Sequence, residues 1–339
     1  MKHQTTRYGE IPFYKIGTFG NTADAFISKK LFLEYKTKYS FPKKGDILIS
    51  ASGTIGRAVI YDGKPAYFQD SNIVWIDNDE TLVKNDFLFY AYSNVKWNTE
   101  HTTILRLYND NFRNTLIPLP PLNKQSAIAN ILSGLDRYLC ALDALILKKE
   151  GVKKALSFEL LSQRKRLKGF NQAWQRVRLG DIANYLTSNL SVEQITQQGK
   201  IKVYDVNNFI GYTDTTFISD KPYISIVKDG SVGRVRILPP KTNILSTMGA
   251  LIANHRTTTE FLFYLLSNFD FKNFTSGSII PHIYFKDYKE KTIFLPPLNE
   301  QSTIANILSA LDNEIISLKN KKRQFENIKK ALNHDFSER

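Results

Sequence analysis

An internal repeat constrains the fold of this chain more than any other feature of its sequence. Residues 119–136 match residues 295–312 at 15 of 18 positions, at an offset of 176 residues. The match returns at the same offset further along, where Lys-Lys-Ala-Leu occurs at 153–156 and again at 329–332. Self-similarity at a fixed offset marks a structural unit that occurs more than once. The chain therefore contains two copies of one unit, and each copy extends through one long element.

The repeated element is predicted to be a long helix with a short lead-in. Two prolines end the strand-like stretch before it, and Asn123 or Asn299 can cap the helix that follows. Apolar residues then recur every seven positions, which is typical of a helix that packs along one seam. The seam residues are Ile128, Leu135, Leu142 and Leu156 in the first copy and Ile304, Leu311, Leu318, Phe325 and Leu332 in the second. Companion apolar positions lie beside them at Ile131, Tyr138, Leu145, Val152, Ile307 and Ile328.

The first long helix is predicted to run from Leu122 to about Lys165, on the order of 65 Å at about 1.5 Å per residue. A helix of that length with one apolar seam needs a partner, and the second copy offers a matching seam. We therefore expect an antiparallel coiled coil, with a weak point near Lys149 and Gly151. The alternative is two ordinary bundle helices that pack elsewhere.

Weaker repeats upstream of each helix predict two related globular domains. Residues 86–90 recur as 260–264, and residues 53–57 recur as 230–234. Short β-branched and aromatic runs alternate with turn residues in both, which is typical of strands. The predicted fold class is α+β, with two similar mixed α/β domains separated by two long antiparallel helices in a pseudo-two-fold repeat. The predicted boundaries are 1–118, 119–168, 169–294 and 295–339.

The two predicted domains differ at their beginnings. The second has residues 174–190 ahead of the position that aligns with Met1, and this stretch includes the lead-in 174–182. The first has no residues at that place. We therefore expect the domain of residues 1–118 to lack a counterpart of this lead-in.

The charge of the chain favours a polyanionic partner. There are 46 Lys and Arg against 32 Asp and Glu, a formal net charge of +14, and such an excess favours nucleic acid. No signal-peptide pattern stands at the N-terminus and no run of about 18 apolar residues occurs, so we expect a cytoplasmic protein without a membrane segment. The single cysteine, Cys140, cannot form an internal disulfide and is predicted to be buried in a helix.

No catalytic signature occurs in the sequence. Neither Asn-Pro-Pro-Tyr nor Asp-Pro-Pro-Tyr is present for amino-methyl transfer, and no Gly-x4-Gly-Lys-Ser/Thr loop is present for phosphate binding. The five histidines are scattered without metal-ligand spacing. We expect no catalytic residues and no metal site on this chain, although a nuclease or methyltransferase acting alone remains an alternative reading.

The duplicated motif resembles a known family. The pattern Leu-Pro-Pro-Leu-Asn-Glu-Gln-Ser-x-Ile-Ala-x-Ile-Leu-Ser-x-Leu-Asp at 295–312, repeated at 119–136, resembles the conserved regions of specificity subunits of type I restriction-modification systems. Residues 164–170, which run into 174–182, resemble the family's passage from the central helix into the second target-recognition domain. The resemblance covers nearly the whole chain.

The resemblance implies a DNA-binding role without chemistry. Each globular domain would be a target-recognition domain for one half of a bipartite site in double-stranded DNA. The long helices would set the spacing, and the conserved helical regions would dock two modification (methyltransferase) subunits. With restriction/translocase subunits, the complex would use S-adenosylmethionine, ATP and Mg, while no cofactor is expected on this chain. A coiled-coil interaction scaffold without DNA specificity is the alternative.

Candidate DNA contacts are cations and polar side chains at turns, because phosphates and base edges are recognised by such groups. Arg57 and Arg234 each follow a tight Gly-x-x-Gly turn, for which a plain hairpin with a surface arginine is the alternative. The tracts 101–106 and 275–280 are taken as equivalent and resemble the family's polar segment near DNA. The candidates are Lys15, Arg57, Arg106, Lys228, Arg234, Lys241, Asn254, Arg256, Ser276 and Ser278.

Overall fold

The computed structural model describes residues 4–68, 72–97 and 106–338. It divides into two compact units. Unit 1 contains Met1–Asp143 and Asn320–Arg339, and unit 2 contains Ala144–Lys319. Each unit thus combines one globular part with segments of both long helices. The four-part division by residues 1–118, 119–168, 169–294 and 295–339 stays a prediction.

The two repeats form long helices, as predicted. Helix α4 spans Leu122–Leu161 and helix α7 spans Leu298–Glu338. Helix α4 ends four residues before the predicted end, and Gln163 just beyond it has a left-handed φ of 62°. The helix continues through Gly151 without interruption, where a weak point was predicted. Lys149 pairs there with Glu314 of α7 at 2.8 Å, which supports the helix at this place.

Ion pairs show the direction of helix pairing in unit 1. Lys322 of α7 lies 2.7 Å from Asp143 of α4, and Lys329 pairs with Asp136. As the residue number rises along one helix, it falls along the other. The helix segments of unit 1 are therefore antiparallel, as predicted.

Unit 2 shows the same direction of pairing. Lys319 lies 2.6 Å from Glu150, and Asp312 pairs with Lys153 at 2.5 Å. The two pairs again run in opposite directions along the chain. Helices α4 and α7 are antiparallel in this unit as well.

The predicted seam residues differ in their burial. Leu142 and Ile304 are buried, and the other seven are half-buried. Tyr138 of α4 and Phe325 of α7 have ring centroids 4.6 Å apart. The companion positions Ile131, Leu145, Val152 and Ile328 are exposed, and so is Cys140, so these predictions of burial were wrong. The reason is that two helices share a single narrow seam, which leaves flanking side chains in solvent.

A second apolar face at the start of each long helix was not predicted. Ala129 and Leu132 of α4 are buried with Phe87 in unit 1. Ala305 and Leu308, which stand at the same places in α7, are buried in the main core of unit 2. This face of each helix packs on the globular part of its own unit. It binds each helix to the domain that precedes it in the chain.

The globular part of unit 1 contains two small sheets and three helices. The central strand of one sheet, Ile47–Ser50, is buried along its whole length, and its run of apolar residues explains this position. The first sheet has the order β2-β1-β5 and the second has the order β4-β3-β6. The strands are β1 Ile11–Tyr14, β2 Ala25–Ile27, β3 Ile47–Ser50, β4 Ala58–Ile60, β5 Tyr67–Phe68 and β6 Ile73–Trp75, and the helices are α1 Lys29–Lys38, α2 Asn85–Asn94 and α3 Asn109–Arg113.

The globular part of unit 2 repeats this plan and adds strands to it. A four-stranded antiparallel sheet has the order β12-β11-β14-β8, and a three-stranded sheet has the order β10-β9-β13. Strand β15 pairs with β7 in a third sheet. The strands are β7 Gln175–Arg178, β8 Ala183–Thr187, β9 Ile201–Tyr204, β10 Phe209–Thr213, β11 Tyr223–Val227, β12 Val235–Leu238, β13 Thr242–Ile244, β14 Met248–Ala253 and β15 Thr292–Leu295, and the helices are α5 Thr259–Ser267 and α6 Phe285–Tyr288.

A buried glutamine fixes the start of α7 to unit 2. The amide nitrogen of Gln301 donates to the carbonyls of Arg256 at 3.0 Å and Pro296 at 2.8 Å. Its amide oxygen accepts from the hydroxyl of Thr257 at 2.9 Å and from the backbone of Thr258 at 3.0 Å. All four hydrogen-bonding positions of the side chain are therefore used.

Gln125 makes the equivalent contacts in unit 1. Its amide nitrogen donates to the carbonyls of Leu82 at 3.1 Å and Pro120 at 2.8 Å, and its oxygen accepts from the backbone of Lys84 at 2.8 Å. Both glutamines therefore join the start of a long helix to the residues just before α2 or α5.

A Tyr–Asp–Lys set occurs once in each unit. Tyr264 of α5 donates to Asp312 of α7 at 2.9 Å, and Asp312 pairs with Lys153 of α4. In unit 1 the hydroxyl of Tyr90 donates to Asp136 at 2.9 Å, and Asp136 pairs with Lys329. Burial and the neighbouring carboxylate raise the pKa of both tyrosine hydroxyls well above the usual value. Each set joins a domain helix and both long helices through neutral phenol and charged partners.

No helix in the described ranges is long and apolar enough to cross a membrane.

We expect the substitution Gln301→Met to destabilise unit 2 by about 2–4 kcal/mol, because it leaves buried backbone groups without hydrogen-bond partners. Urea unfolding followed by circular dichroism measures this loss. The control is Gln324→Met at an exposed position of the same helix, for which we expect a change within about 0.5 kcal/mol. Equal losses in the two variants would contradict the role of Gln301.

Candidate DNA interface

The turn that follows β3 in unit 1 packs against the residues that follow β1. Gly53 and Gly56 have positive φ values of 69° and 80°, which glycine adopts without strain. A Cβ atom at Gly53 would lie 2.5 Å from the side chain of Ile16, so the two turns are in close contact. Arg57 is exposed and donates to the carbonyl of Phe19 at 3.0 Å. This contact holds its guanidinium beside the turn that begins at Lys15.

Arg106 joins the same end of unit 1. It forms an antiparallel bridge with Ser52, and Leu107 next to it donates to the carbonyl of Ala51 at 2.8 Å. Its guanidinium lies 5.9 Å from the ring centroid of Tyr108. The structure thus brings Lys15, Arg57 and Arg106 together at the end of β3. Lys15 is paired with Asp24 at 2.8 Å, and this pair is largely solvent-exposed.

Unit 2 places the turn 230–234 in the same way after β11. Gly230 donates to the carbonyl of Pro281 at 2.8 Å, and Ile283 donates to the carbonyl of Lys228 at 2.9 Å. The turn and the loop 276–282 therefore lie side by side. A cleft of about 660 Å³ runs along them and is lined by Ser231, Arg234, Lys272 and Thr275, among others.

Two arginines of unit 2 converge on Asn207. Arg234 donates to its side-chain oxygen at 2.8 Å and Arg236 donates to its carbonyl at 2.9 Å. The guanidinium of Arg236 also lies 5.3 Å from the ring centroid of Tyr204. Arg234 is exposed and Arg236 is half-buried. Sequence reasoning did not find Asn207 or Arg236, because their proximity depends on how β9, β11 and β12 are arranged.

The loop 276–282 holds its own shape. Ser276 and His282 exchange two backbone hydrogen bonds, of 2.9 and 2.8 Å. Gly277 has a φ of 92°, and a Cβ atom there would lie 2.3 Å from the carbonyl oxygen of Ile280. Ser276 and Ser278, both predicted contacts, are exposed on this loop. The side chains of Ile279 and Ile280 at its tip are 93% and 61% exposed.

Comparison with known proteins establishes the family. The family described as "Type I restriction modification DNA specificity domain" matches residues 1–149 and 171–327, which is most of the chain. The chain belongs to this family.

Several relatives carry related names. A putative type I restriction enzyme specificity subunit of Haemophilus influenzae is 64% identical over 137 residues, which is 40% of this chain and 36% of that protein. This match spans about a third of that relative's length. The putative MjaX specificity subunit of Methanocaldococcus jannaschii is 27% identical over 326 residues, which is 85% of this chain and 76% of that protein.

A solved structure supports the fold of this specificity-domain protein. The crystal structure of the type I restriction-modification S subunit from M. genitalium aligns with a TM-score of 0.66 at 20% identity. The alignment covers 99% of this chain and 91% of that one. At this identity the similarity concerns the fold alone.

The structure corrects the alignment of the two polar tracts. The bridge between Ser52 and Arg106 in unit 1 corresponds to the bridge between Asp229 and His282 in unit 2. Arg106 is therefore equivalent to His282, and the predicted equivalence of 101–106 with 275–280 was wrong by two residues. The offset of 176 would have identified His282, since it places that residue opposite Arg106. Residues 101–105 lie outside the described residues.

Three candidates of this specificity-domain chain are held by other parts of unit 2. The backbone of Lys241 donates to the carbonyl of Ser219 at 2.7 Å in the turn between β12 and β13. Asn254 donates to the carbonyl of Asp181 at 2.9 Å and accepts from the backbone of Arg256 at 3.0 Å. Arg256 in turn donates to the side chain of Gln175 at 3.1 Å. Asn254 and Arg256 thus stabilise the contact between the β14–α5 turn and the residues around β7.

Among the described residues, no group of three or more His, Cys, Asp or Glu side chains is placed to hold a metal ion.

We expect Gly277→Ala to open the loop 276–282, because alanine is strained at this φ and its Cβ collides with the backbone. The strain, about 1–3 kcal/mol, should speed hydrogen exchange of the Ser276 and His282 amides about fivefold or more. Mass spectrometry of exchange measures this. Ser278→Ala, at an exposed position of the same loop, is the control and should leave exchange unchanged. Unchanged exchange in Gly277→Ala would contradict the constraint.

Proposed function

We propose that this chain is the sequence-specific DNA-binding subunit of a type I restriction-modification complex, and that each globular part reads one half of a bipartite site in double-stranded DNA. The observation that carries the proposal is the repeated arrangement at one end of the central strand in each unit. Arg57 and Arg106 meet there in unit 1, and Arg234 and His282 meet there in unit 2. Membership of the DNA specificity family supports it.

The arrangement suits DNA for physical reasons. Exposed cations attract phosphates and supply the salt-dependent part of affinity. Polar groups on short, constrained loops can reach base edges, which carry the sequence information. In unit 2, Lys228, Arg234 and Lys272 supply cations beside Ser276 and Ser278. The net charge of +14 adds long-range attraction for the polyanion.

The two long helices have a separate role in this proposal. They set the spacing between the two half-sites, and their conserved first turns dock two methyltransferase subunits. Restriction/translocase subunits join the complete complex. S-adenosylmethionine, ATP and Mg act on those other subunits, and this chain supplies specificity without chemistry of its own.

The alternative role was a coiled-coil scaffold whose globular parts bind protein. The family model and the relatives carry names that refer to DNA specificity or to type I restriction enzymes, and none supports a scaffold. A scaffold would also bind DNA without a steep dependence on salt concentration, whereas a DNA reader that neutralises several phosphates loses affinity as salt rises.

A methylation map of the genome tests the proposed function. We expect a new bipartite N6-methyladenine motif in a host that lacks adenine methylation and expresses this chain with its cognate modification subunit. Exchange of residues 169–294 for another recognition domain should change one half of the motif and keep the other, because each domain reads its own half. The absence of any motif, despite a stable complex with that subunit, would contradict the proposal.

A second test concerns Arg234. If its guanidinium neutralises one phosphate, Arg234→Ala should reduce the slope of log K against log salt concentration by about 0.9. Fluorescence anisotropy with the methylated motif as the probe duplex, at several salt concentrations, measures the slope. Arg323→Ala, at an exposed position of α7, is the matched control and should keep the slope of the unmodified chain. An unchanged slope and unchanged affinity in Arg234→Ala would exclude Arg234 from the interface.

A further inference from the structure

Unit 1 contains an apolar cleft beside the start of α4. Its volume is about 780 Å³. Phe87 and Tyr90 of α2, Ile128 and Leu132 of α4, and the side chain of Leu116 contribute apolar lining. Leu116 itself is 93% exposed. A cleft of this kind leaves apolar surface in water, which is unfavourable unless another group covers it.

The same surface of unit 2 is covered by a strand. Residues 116–119 of unit 1 correspond, at the offset of 176, to β15, which pairs with β7. Leu295 of β15 is 4% exposed, whereas its counterpart Leu119 is 47% exposed. Among the described residues of unit 1, no strand pairs with 116–119.

Side chains around β7 complete the core of unit 2. Trp174, Val177 and Leu179 are buried in one cluster that also contains Phe261 and Leu308. Phe261 and Leu308 are the counterparts of Phe87 and Leu132, which line the cleft of unit 1. The segment that carries β7 therefore shows which kind of chain fits the cleft.

The backbone of 116–119 is able to accept such a strand. In unit 2, Leu179 donates to the carbonyl of Lys291 at 3.0 Å. Because ladder bonds alternate along an antiparallel pair, the bonding positions of β15 are Ile293 and Leu295, and the N–H of Phe294 points away from β7. Pro118 stands at the position of Phe294, where no donor is needed. Ile117 and Leu119 stand at the two bonding positions and keep their N–H groups.

One charge differs between the two surfaces. The buried carboxylate of Glu300 accepts from the indole of Trp174 at 2.9 Å and from Arg166 at 3.0 Å. Lys124 stands at this place in unit 1 and is exposed. A segment that docks there meets an ammonium group in place of an acceptor. Its tryptophan would therefore lose one hydrogen bond, although the exposed lysine can turn into solvent and does not block the site.

We propose that the cleft of unit 1 binds an extended segment of a separate polypeptide that has the chemistry of residues 172–183. This segment carries a tryptophan, then valine and leucine at alternate positions. It lies antiparallel to 116–119 and adds a strand, so that backbone hydrogen bonds supply affinity and the apolar side chains fill the cleft. The inference rests on the internal repeat and is independent of the proposed DNA binding.

A synthetic peptide of residues 172–183 with a fluorescent label tests this docking site. We expect saturable binding to the full chain in anisotropy measurements. The matched control peptide carries aspartate at the positions of Val177 and Leu179, and we expect it to bind at least about tenfold more weakly, because charged side chains cannot enter an apolar cleft. Equal binding of the two peptides would overturn the proposal.

Two variants of the chain identify where the peptide lies. Lys124→Glu restores the acceptor for the peptide's indole and should tighten binding about fivefold. Leu119→Pro removes a ladder donor and should weaken binding about tenfold, whereas Leu116→Pro, at a non-bonding position, should have a smaller effect. Circular dichroism shows that each variant is folded. No effect of Lys124→Glu, or equal effects of the two proline variants, would show that the peptide does not lie in this register and would overturn the proposal.

Discussion

A buried glutamine at the first turn of each long helix is the contact on which the rest of the structure depends. Gln301 uses all four of its hydrogen-bonding positions, and Gln125 makes the equivalent bonds to the lead-in and to the residues before α2. A buried amide is stabilising only when its partners are all present, since an unpaired polar group in the interior costs about 1–3 kcal/mol. Each glutamine therefore specifies one position of the long helix relative to its domain.

From that position the remaining contacts follow. With the helix start fixed, Ala129 and Leu132 in unit 1, and Ala305 and Leu308 in unit 2, face the domain helix. The Tyr–Asp–Lys sets lie one to two turns further along and add the second long helix through Lys153 or Lys329. The loops that carry Arg57, Arg106, Arg234 and His282 stand on strands packed against these helices. Their placement at one end of each central strand depends on this shared frame.

Particular residues show how far the sequence could be interpreted. The offset of 176 predicted both long helices and their antiparallel pairing, because a heptad seam needs a matching partner. It did not reveal the face of Leu132 and Leu308, since an apolar residue between seam positions can face a partner helix, a domain or solvent. The offset also contained the equivalence of Arg106 and His282, but the chemical similarity of the Ser- and Thr-rich tracts favoured an alignment that was two residues away.

The sequence by itself determined the duplicated architecture, the two long helices and the membership of a DNA specificity family, because these depend on motifs and periodicity along the chain. Only the tertiary structure decided which side chains meet. Asn207 joins Arg234 and Arg236 across three strands, Asn254 and Arg256 stabilise a turn, and Leu119 lies open where Leu295 is covered by β7. The physical reason is that hydrogen bonds and burial join residues distant in sequence, and their partners are set by the packing of sheets and helices, which local pattern does not specify.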